Sequence, residues 1–512
     1  MSEPQGNAVS MSISDELSHH GPIVTADDMP MASAGLGSHV VKSLVWRSGS
    51  QIFAQLFTWS ATFIVIRLLA PADYGVFAMT SSVLFLLSML SGGSFASALV
   101  RSPSLDQHHV RQVLGLLILL NGALGIVQFM VAPTVAAYYR QPIIADLLRV
   151  QTLIYLANPV LALSVALLSR KMDFKAQALA NFASAFAGAG TALTGALAGW
   201  GVWTLVFAPI AMIWTRTIGM AIAARVDLTP SFTFRGAGAT MGFGIAMITS
   251  QLFWFIQTQS DIFIGGRFLS ASDLGLYTTA LFLAQLLTSK FVPPMNEIAY
   301  SAYARLQDDR PAVADAFVRS TAMIMFVSLP FYAGMALTAK PLVLTVLGPH
   351  WAGVAPLITH LAWIMPFVTL QILFAPVTNA LGKPRMAVYS SMAGAIIMTA
   401  CFAIGVQHGT IGLTKAWMVG FPILTIATGA MSLPVIGLGA NTLLRGLAGP
   451  VTAAALMAVV VAMVDNALPT LSTLPHLIIL VTTGAIAFAA AAGIFARPIL
   501  NDILGLARRT RA

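Results

Sequence analysis

Between residues 43 and 495 the chain repeats one pattern, a long apolar run closed by a short polar break. The runs cover 43–69, 75–100, 113–138, 150–168, 176–198 and 201–223. They continue over 242–268, 276–295, 320–338, 354–380, 386–406 and 410–433, and end with 447–464 and 476–495. About 20 apolar residues let a helix cross about 30 Å of hydrocarbon. Lipid offers no partner to backbone N–H and C=O groups, so the spanning runs must bond internally as helices. The pattern therefore predicts an all-α integral membrane protein with about 14 transmembrane helices.

Composition sharpens this picture. Of the 512 residues 57% are hydrophobic and only 9% charged, with a mean hydropathy of +0.83. A soluble domain carries about a quarter charged residues, so water is not the main solvent of this chain. The net charge of +9 needs no nucleic acid to explain it, because Lys and Arg gather on the cytoplasmic side of membrane proteins. The first forty residues hold Glu3, Asp15, Glu16, Asp27 and Asp28, without Lys, Arg or an apolar run. They read as a disordered cytoplasmic tail over 1–42. His19 and His20 lack a third ligand nearby, and the single cysteine, Cys401, excludes an internal disulfide. No metal or other cofactor is expected.

Charge also orients the chain. With a cytoplasmic N-terminus, one side holds twenty of the 27 Lys and Arg residues and the other holds five, Arg67, Arg140, Arg149, Arg267 and Lys340. That asymmetry predicts both termini in the cytoplasm, consistent with an even number of spans. No outer loop exceeds about fifteen residues, which leaves little room for an external catalytic domain. Gly382-Lys383 is followed by Pro384, so no phosphate-binding loop forms, and no HExxH occurs. An enzyme is not expected.

An internal repeat organises the spans. Ser50-Gln51-Ile52-Phe53 recurs as Ser250-Gln251-Leu252-Phe253, and the ungapped match runs on through Arg67/Arg267, Asp73/Asp273 and Gly75/Gly275. Eleven of the 31 positions from 50 to 80 are identical at the offset of 200. Six spans fit in that offset, so the copies enter the membrane in one direction, as in parallel-repeat transporters. The expected division is a first lobe of six spans at 43–225 and a second at 226–434. Two further spans at 435–497 and a cytoplasmic tail at 498–512 follow.

A charge inside a span costs about 2.5 to 3.5 kcal/mol on insertion scales, so each one asks for a role. Arg47 lies one turn into span 1, Asp261 well inside span 7, Lys290 in span 8 and Lys415 near the end of span 12. Arg47 and Lys290 either line a cavity or reach the surface along their aliphatic stems, and Lys415 reads as a surface-reaching residue. Asp261 is too short to reach water, which leaves a cavity role as an ion or proton site or a helix-to-helix hydrogen bond. The Arg67/Asp73 and Arg267/Asp273 pairs are expected to fix the turns by local pairing. The small-residue run from Gly188 to Gly199, with Gly195 and Gly199 spaced GxxxG, reads as close helix packing, and Pro293-Pro294 should bend or break span 8.

The segments Arg67-Leu-Leu-Ala-Pro-Ala-Asp-Tyr-Gly75, Asp261-Ile-Phe-Ile-Gly-Gly-Arg267, Asp273-Leu-Gly-Leu-Tyr277, Ala302-Tyr-Ala-Arg-Leu-Gln-Asp-Asp309, Leu347-Gly-Pro-His-Trp351 and Ala380-Leu-Gly-Lys-Pro-Arg385 carry a family resemblance in their order and spacing. The chain resembles the Wzx-type oligosaccharide flippases, the polysaccharide-transporter branch of the MOP exporter superfamily. Tyr300-Ser-Ala-Tyr-Ala304 departs from the family's Pro-Ala-Phe-Ser pattern. The resemblance implies two six-helix lobes around a cavity that opens alternately to each side. It implies that undecaprenyl-diphosphate-linked oligosaccharide crosses the bacterial inner membrane for exopolysaccharide, capsule or O-antigen synthesis. Polysaccharide polymerase and export machinery are the implied protein partners. For that task Arg47 and Lys290 are the candidates for the diphosphate and Asp261 the candidate for coupling. A multidrug or cation exporter of the same superfamily and a membrane-embedded sugar polymerase or ligase are the alternatives. The first would call for an acidic cavity, the second for an external loop.

Overall fold

The computed structural model describes residues 57–91, 107–171, 173–225, 229–232, 238–469 and 471–509, all within one compact unit, Ala54–Ala512. Arg47 and the N-terminal tail lie outside the described residues. The described chain is built of helices. The first are α1 (Phe57–Leu68), α2 (Pro71–Met89), α3 (Gln107–Tyr139), α4 (Ile143–Gln151), α5 (Leu153–Arg170), α6 (Phe174–Leu197) and α7 (Val202–Ala224). After them come α8 (Gly238–Phe268), α9 (Ala271–Arg305), α10 (Arg310–Leu337), α11 (Ala339–Val346), α12 (Val354–Ile372) and α13 (Phe374–Ala380). The chain closes with α14 (Arg385–Gly405), α15 (Gly409–Ile436), α16 (Ala440–Ala467), α17 (Thr473–Phe495) and α18 (Arg497–Arg509).

Among the described residues every expected span coincides with a helix, and nine stretches are long and apolar enough to cross a membrane. One of these stretches, Arg385–Ile436, contains both α14 and α15, so the architecture is compatible with about 14 spans. The chain is a multi-pass membrane protein.

Turns at 69–70, 140–142, 198–201, 269–270, 347–353, 406–408 and 468–472 gather at one end of the bundle, called here the Arg67 end. Turns at 171–173, 306–309, 381–384 and 437–439 form the opposite, Arg305 end. Carboxylates close several helix starts, where the first N–H groups have no partner of their own. Asp173 Oδ1 accepts from Ala176 N–H at 3.0 Å and Asp309 Oδ1 from Ala312 N–H at 3.1 Å. Proline begins α2, four residues ahead of the expected start, because Pro71 sits at a first-turn position where its missing N–H costs nothing.

Helix α9 runs unbroken through Pro293 and Pro294; both are exposed, and long helical flanks hold the register across the lost bonds. Within the run from Gly188 to Gly199 the last glycine does not pack, since nothing lies within 4 Å of a Cβ at Gly199, which turns the chain with φ +73°. Gly188 and Gly195, two turns apart, are the close approaches expected of that run: added Cβ atoms would come within 3.0 Å of Met212 and 2.8 Å of Trp200. Most of the segment 498–512 belongs to α18, and Ile499 packs on the core.

The seam between α2 and α9 carries the repeat. A Cβ at Gly75 would fall 1.8 Å from the carbonyl oxygen of Ala271, and one at Gly275 would fall 1.7 Å from that of Pro71. Both partners are related by the same 200 residues. Contact of i with j together with j with i is the signature of a local two-fold axis. Only glycine lets two helix backbones approach this closely.

Candidate functional site

Cavities open in the bundle among the described residues. The first, about 580 Å³, lies among α1, α2, α6, α7, α8 and α9, with walls such as Val65, Phe77, Ala189, Met212 and Phe282. The second, about 590 Å³, is an apolar groove where α16 and α17 lie against α9, α10 and α11; Leu286, Phe331, Met457, Leu480 and Phe488 line it. The third, about 250 Å³, is polar and is enclosed by α8, α12, α13, α14 and α15. No Asp, Glu, Lys or Arg lines any of the three.

Cations stand next to two of them. On α9, Leu283, Leu286 and Lys290 are three and then four residues apart, so they share one helix face, and the first two line the apolar groove. Lys290 is exposed and continues that face toward the Arg305 end. Nineteen residues at 1.5 Å each place it about 28 Å below Ala271, near the far edge of about 30 Å of hydrocarbon. That is headgroup depth. On α7, Ala208 and Met212 line the first cavity, and Arg216 follows at the same four-residue step. Arg216 is half-buried and its Nε has no hydrogen-bond partner. Arg216 is one of the twenty cations that the charge count puts on the cytoplasmic side; its eight-residue distance from the end of α7, about 12 Å, is what sets it apart from them.

Asp261 is fully buried and lines none of the three cavities. Its Oδ2 accepts from the Tyr277 hydroxyl at 2.7 Å, and its Oδ1 from the Ile262 N–H at 2.8 Å. The Tyr277 oxygen in turn accepts from Trp417 Nε1 at 2.6 Å. This chain of donors ties α8, α9 and α15 together, the helix-to-helix bond that was one of the two readings open at the sequence level, while the ion or proton role stays a proposal. Asp261 and Lys290 are not brought together, being about 18 Å apart along the bundle by helical rise. Tyr277 and Trp417 were missed because a search for charges does not see the neutral donors that make a buried carboxylate tolerable.

The paired turns also differ from expectation. Asp73 and Asp273 do fix them, Asp73 Oδ2 accepting from Ala70 N–H at 3.1 Å and Asp273 sharing two bonds with Ser270. The arginines turn elsewhere. Arg267 donates to the Tyr138 carbonyl at 2.6 Å and lies over the Tyr138 ring, 5.6 Å from its centre. Arg67 reaches the other long turn, its Nε 3.5 Å from a Cβ at Gly348, and Trp351 Nε1 donates to the Ile66 carbonyl at 2.9 Å. An arginine with five donors satisfies the open carbonyls of a helix end better than it serves one exposed carboxylate already used as a cap. Lys415, on α15, is three residues past Gly412 at the Arg67 end and is exposed.

Comparison with known proteins fits this geometry. The chain is 26% identical over 429 residues to the succinoglycan biosynthesis transport protein ExoT of Rhizobium meliloti (strain 1021), covering 82% of this chain and 86% of that one. Its fold is similar to that of the lipid II flippase MurJ in an inward closed conformation, with a TM-score of 0.72 at 13% identity, over 89% of this chain and all of that one. An inward-facing multidrug resistance MATE family transporter of the MOP superfamily is similar at a TM-score of 0.61 and 14% identity, over 75% of this chain and 94% of that one. The family described as polysaccharide biosynthesis protein matches residues 64–356, more than half of the 512. By that match the chain belongs to the polysaccharide biosynthesis protein family, in keeping with its resemblance to the Wzx-type flippases of the MOP superfamily.

Proposed function

We propose that this protein moves an undecaprenyl-diphosphate-linked oligosaccharide from the inner to the outer leaflet of a bacterial inner membrane, for exopolysaccharide, capsule or O-antigen assembly. The observation that carries the reading is the apolar groove of α16 and α17 with Lys290 on its continuation. A polyprenyl chain needs an apolar trough, and the diphosphate that ends it sits at headgroup depth, where Lys290 is. Arg216, one turn beyond the lining of the first cavity on α7, receives the anion as it leaves that leaflet. The names of the relatives, a polysaccharide transport protein and a lipid II flippase, point the same way. A cation exporter calls for an acid in a cavity, and the buried Asp261 is held by Tyr277 instead.

Liposomes containing the purified protein and a fluorescent lipid-linked glycan test this. Lys290→Ala should slow its translocation about tenfold or more, the usual worth of a charge-assisted hydrogen bond, and Lys290→Arg should partly restore it. Ala485→Trp, filling the groove, should slow it as well. Wild-type rates in both Lys290→Ala and Ala485→Trp would sink the reading.

Two six-span lobes, 43–225 and 226–434, rocking about a central site are part of the same proposal, with both termini in the cytoplasm. Polymerase and export machinery act downstream. In a Cys401→Ala background, a thiol reagent added outside the cell should label Ser472→Cys and miss Thr510→Cys. Strong external labelling at 510 would reverse the orientation.

A further inference from the structure

The third cavity has the most polar lining of the three. Resting on the translocation reading, we propose that it binds one neutral sugar ring of the cargo, and that its lining sets which glycan is carried. Trp254 and Gln257 come from α8, Gln371 from α12, Ser390 from α14, and Thr428 and Ser432 from α15. Gln371 Nε2 donates to Ser390 Oγ at 3.1 Å, and Ser390 Oγ shares a bond of 2.8 Å with Thr428 Oγ1. Gln257 is 7% exposed, and its Oε1 has no hydrogen-bond partner. A Cβ at Gly394 would be 2.3 Å from that oxygen, so the glycine makes room for the amide against α14.

These groups are neutral, and amides and hydroxyls both donate and accept, as sugar hydroxyls do. A phosphate would want cations and a drug cation would want a carboxylate; neither lines the cavity. A lipid tail has the apolar groove. A volume of about 250 Å³ equals about eight waters at about 30 Å³ each, room for one ring but not for an oligosaccharide. At its rim Trp254 is 43% exposed, an aromatic face on which a sugar ring can stack. The Trp254 ring also lies 5.7 Å from that of Phe85 on α2, so the rim faces the α2 and α8 seam, on the route proposed for the cargo.

The test uses the full chain in lipid nanodiscs and saturation-transfer NMR with the methyl glycosides of glucose, galactose, mannose and N-acetylglucosamine, with methyl glucuronide as the charged probe. At least one neutral glycoside should bind in the millimolar range and the glucuronide should not. Gln257→Leu should weaken that binding about tenfold, the loss of one buried hydrogen bond to the sugar. Thr428→Val keeps shape and fold while removing one hydroxyl, and should weaken it too. Both variants should bind sugar-free undecaprenyl diphosphate as the wild type does. No binding by any neutral glycoside, preference for the glucuronide, or indifference to both substitutions would overturn the assignment. Lipid-linked glycan that still crosses liposomes while glycosides fail would remove the pocket and leave the translocation reading standing; loss of translocation in the wild type would remove the reading itself.

Discussion

Gly275→Ala, a change of one methyl group, is expected to leave little correctly folded protein. The new Cβ would sit 1.7 Å from the Pro71 carbonyl oxygen, and a backbone carbonyl cannot rotate away as a side chain can. Helices α2 and α9 must then separate along the seam that joins them. Overpacking of a tight contact costs about 1 to 3 kcal/mol and more when backbone is the neighbour, whereas alanine in a helix interior returns only about 0.5 to 1. Gly75→Ala should behave alike, with its Cβ 1.8 Å from the Ala271 oxygen. Gly122→Ala and Gly190→Ala provide the contrast, since nothing lies within 4 Å of either position. Monodisperse yield and melting temperature in detergent read the difference. Equal behaviour of all four variants would mean that the seam is looser than the structure has it.

Joining the halves at the Arg67 end should stop transport altogether. Arg267 donates to the Tyr138 carbonyl across α8 and α3, which the proposed division puts in different lobes. Tyr138→Cys with Arg267→Cys, bridged by a bis-maleimide in the Cys401→Ala background, fixes that contact. Alternation of access requires it to open, so glycan translocation should fall to background on bridging and return when the reagent is omitted. Asp465→Cys with His476→Cys is the control. Those residues are bonded at 2.7 Å between α16 and α17, and bridging them should leave transport intact. Full activity with residues 138 and 267 bridged would exclude rocking at that end without disturbing the fold.

The fold was readable because lipid demands a simple code. Apolar runs of one length, closed by polar breaks, place helices such as α6 and α7 within one or two residues of the expected bounds. The repeat was readable because Arg67, Asp73 and Gly75 recur at a single offset, and Gly75 and Gly275 indeed face each other. What the arginines bond to was not readable, since the carbonyl of Tyr138 and the turn at Gly348 come near only after folding. The site was half readable. Lys290 stands out as a charge, but the groove beside it is built from α16 and α17, far along the chain and chemically indistinct from any other span. Gln257, Ser390 and Thr428 carry no charge and no spacing motif, so only their convergence marks them.

The seam of α2 and α9 has a consequence for how the chain is made. A surface that meets its own duplicate is self-complementary, and α2 leaves the ribosome well before α9 exists. In that interval the Gly75 face can be met by the same face of another nascent chain, an exchange of halves between molecules. The tether of about 200 residues works against it by holding the second copy at high effective concentration once it inserts. A chain stopped after residue 225 has no such tether, and two of them would be drawn together through the very contact that closes the intact molecule.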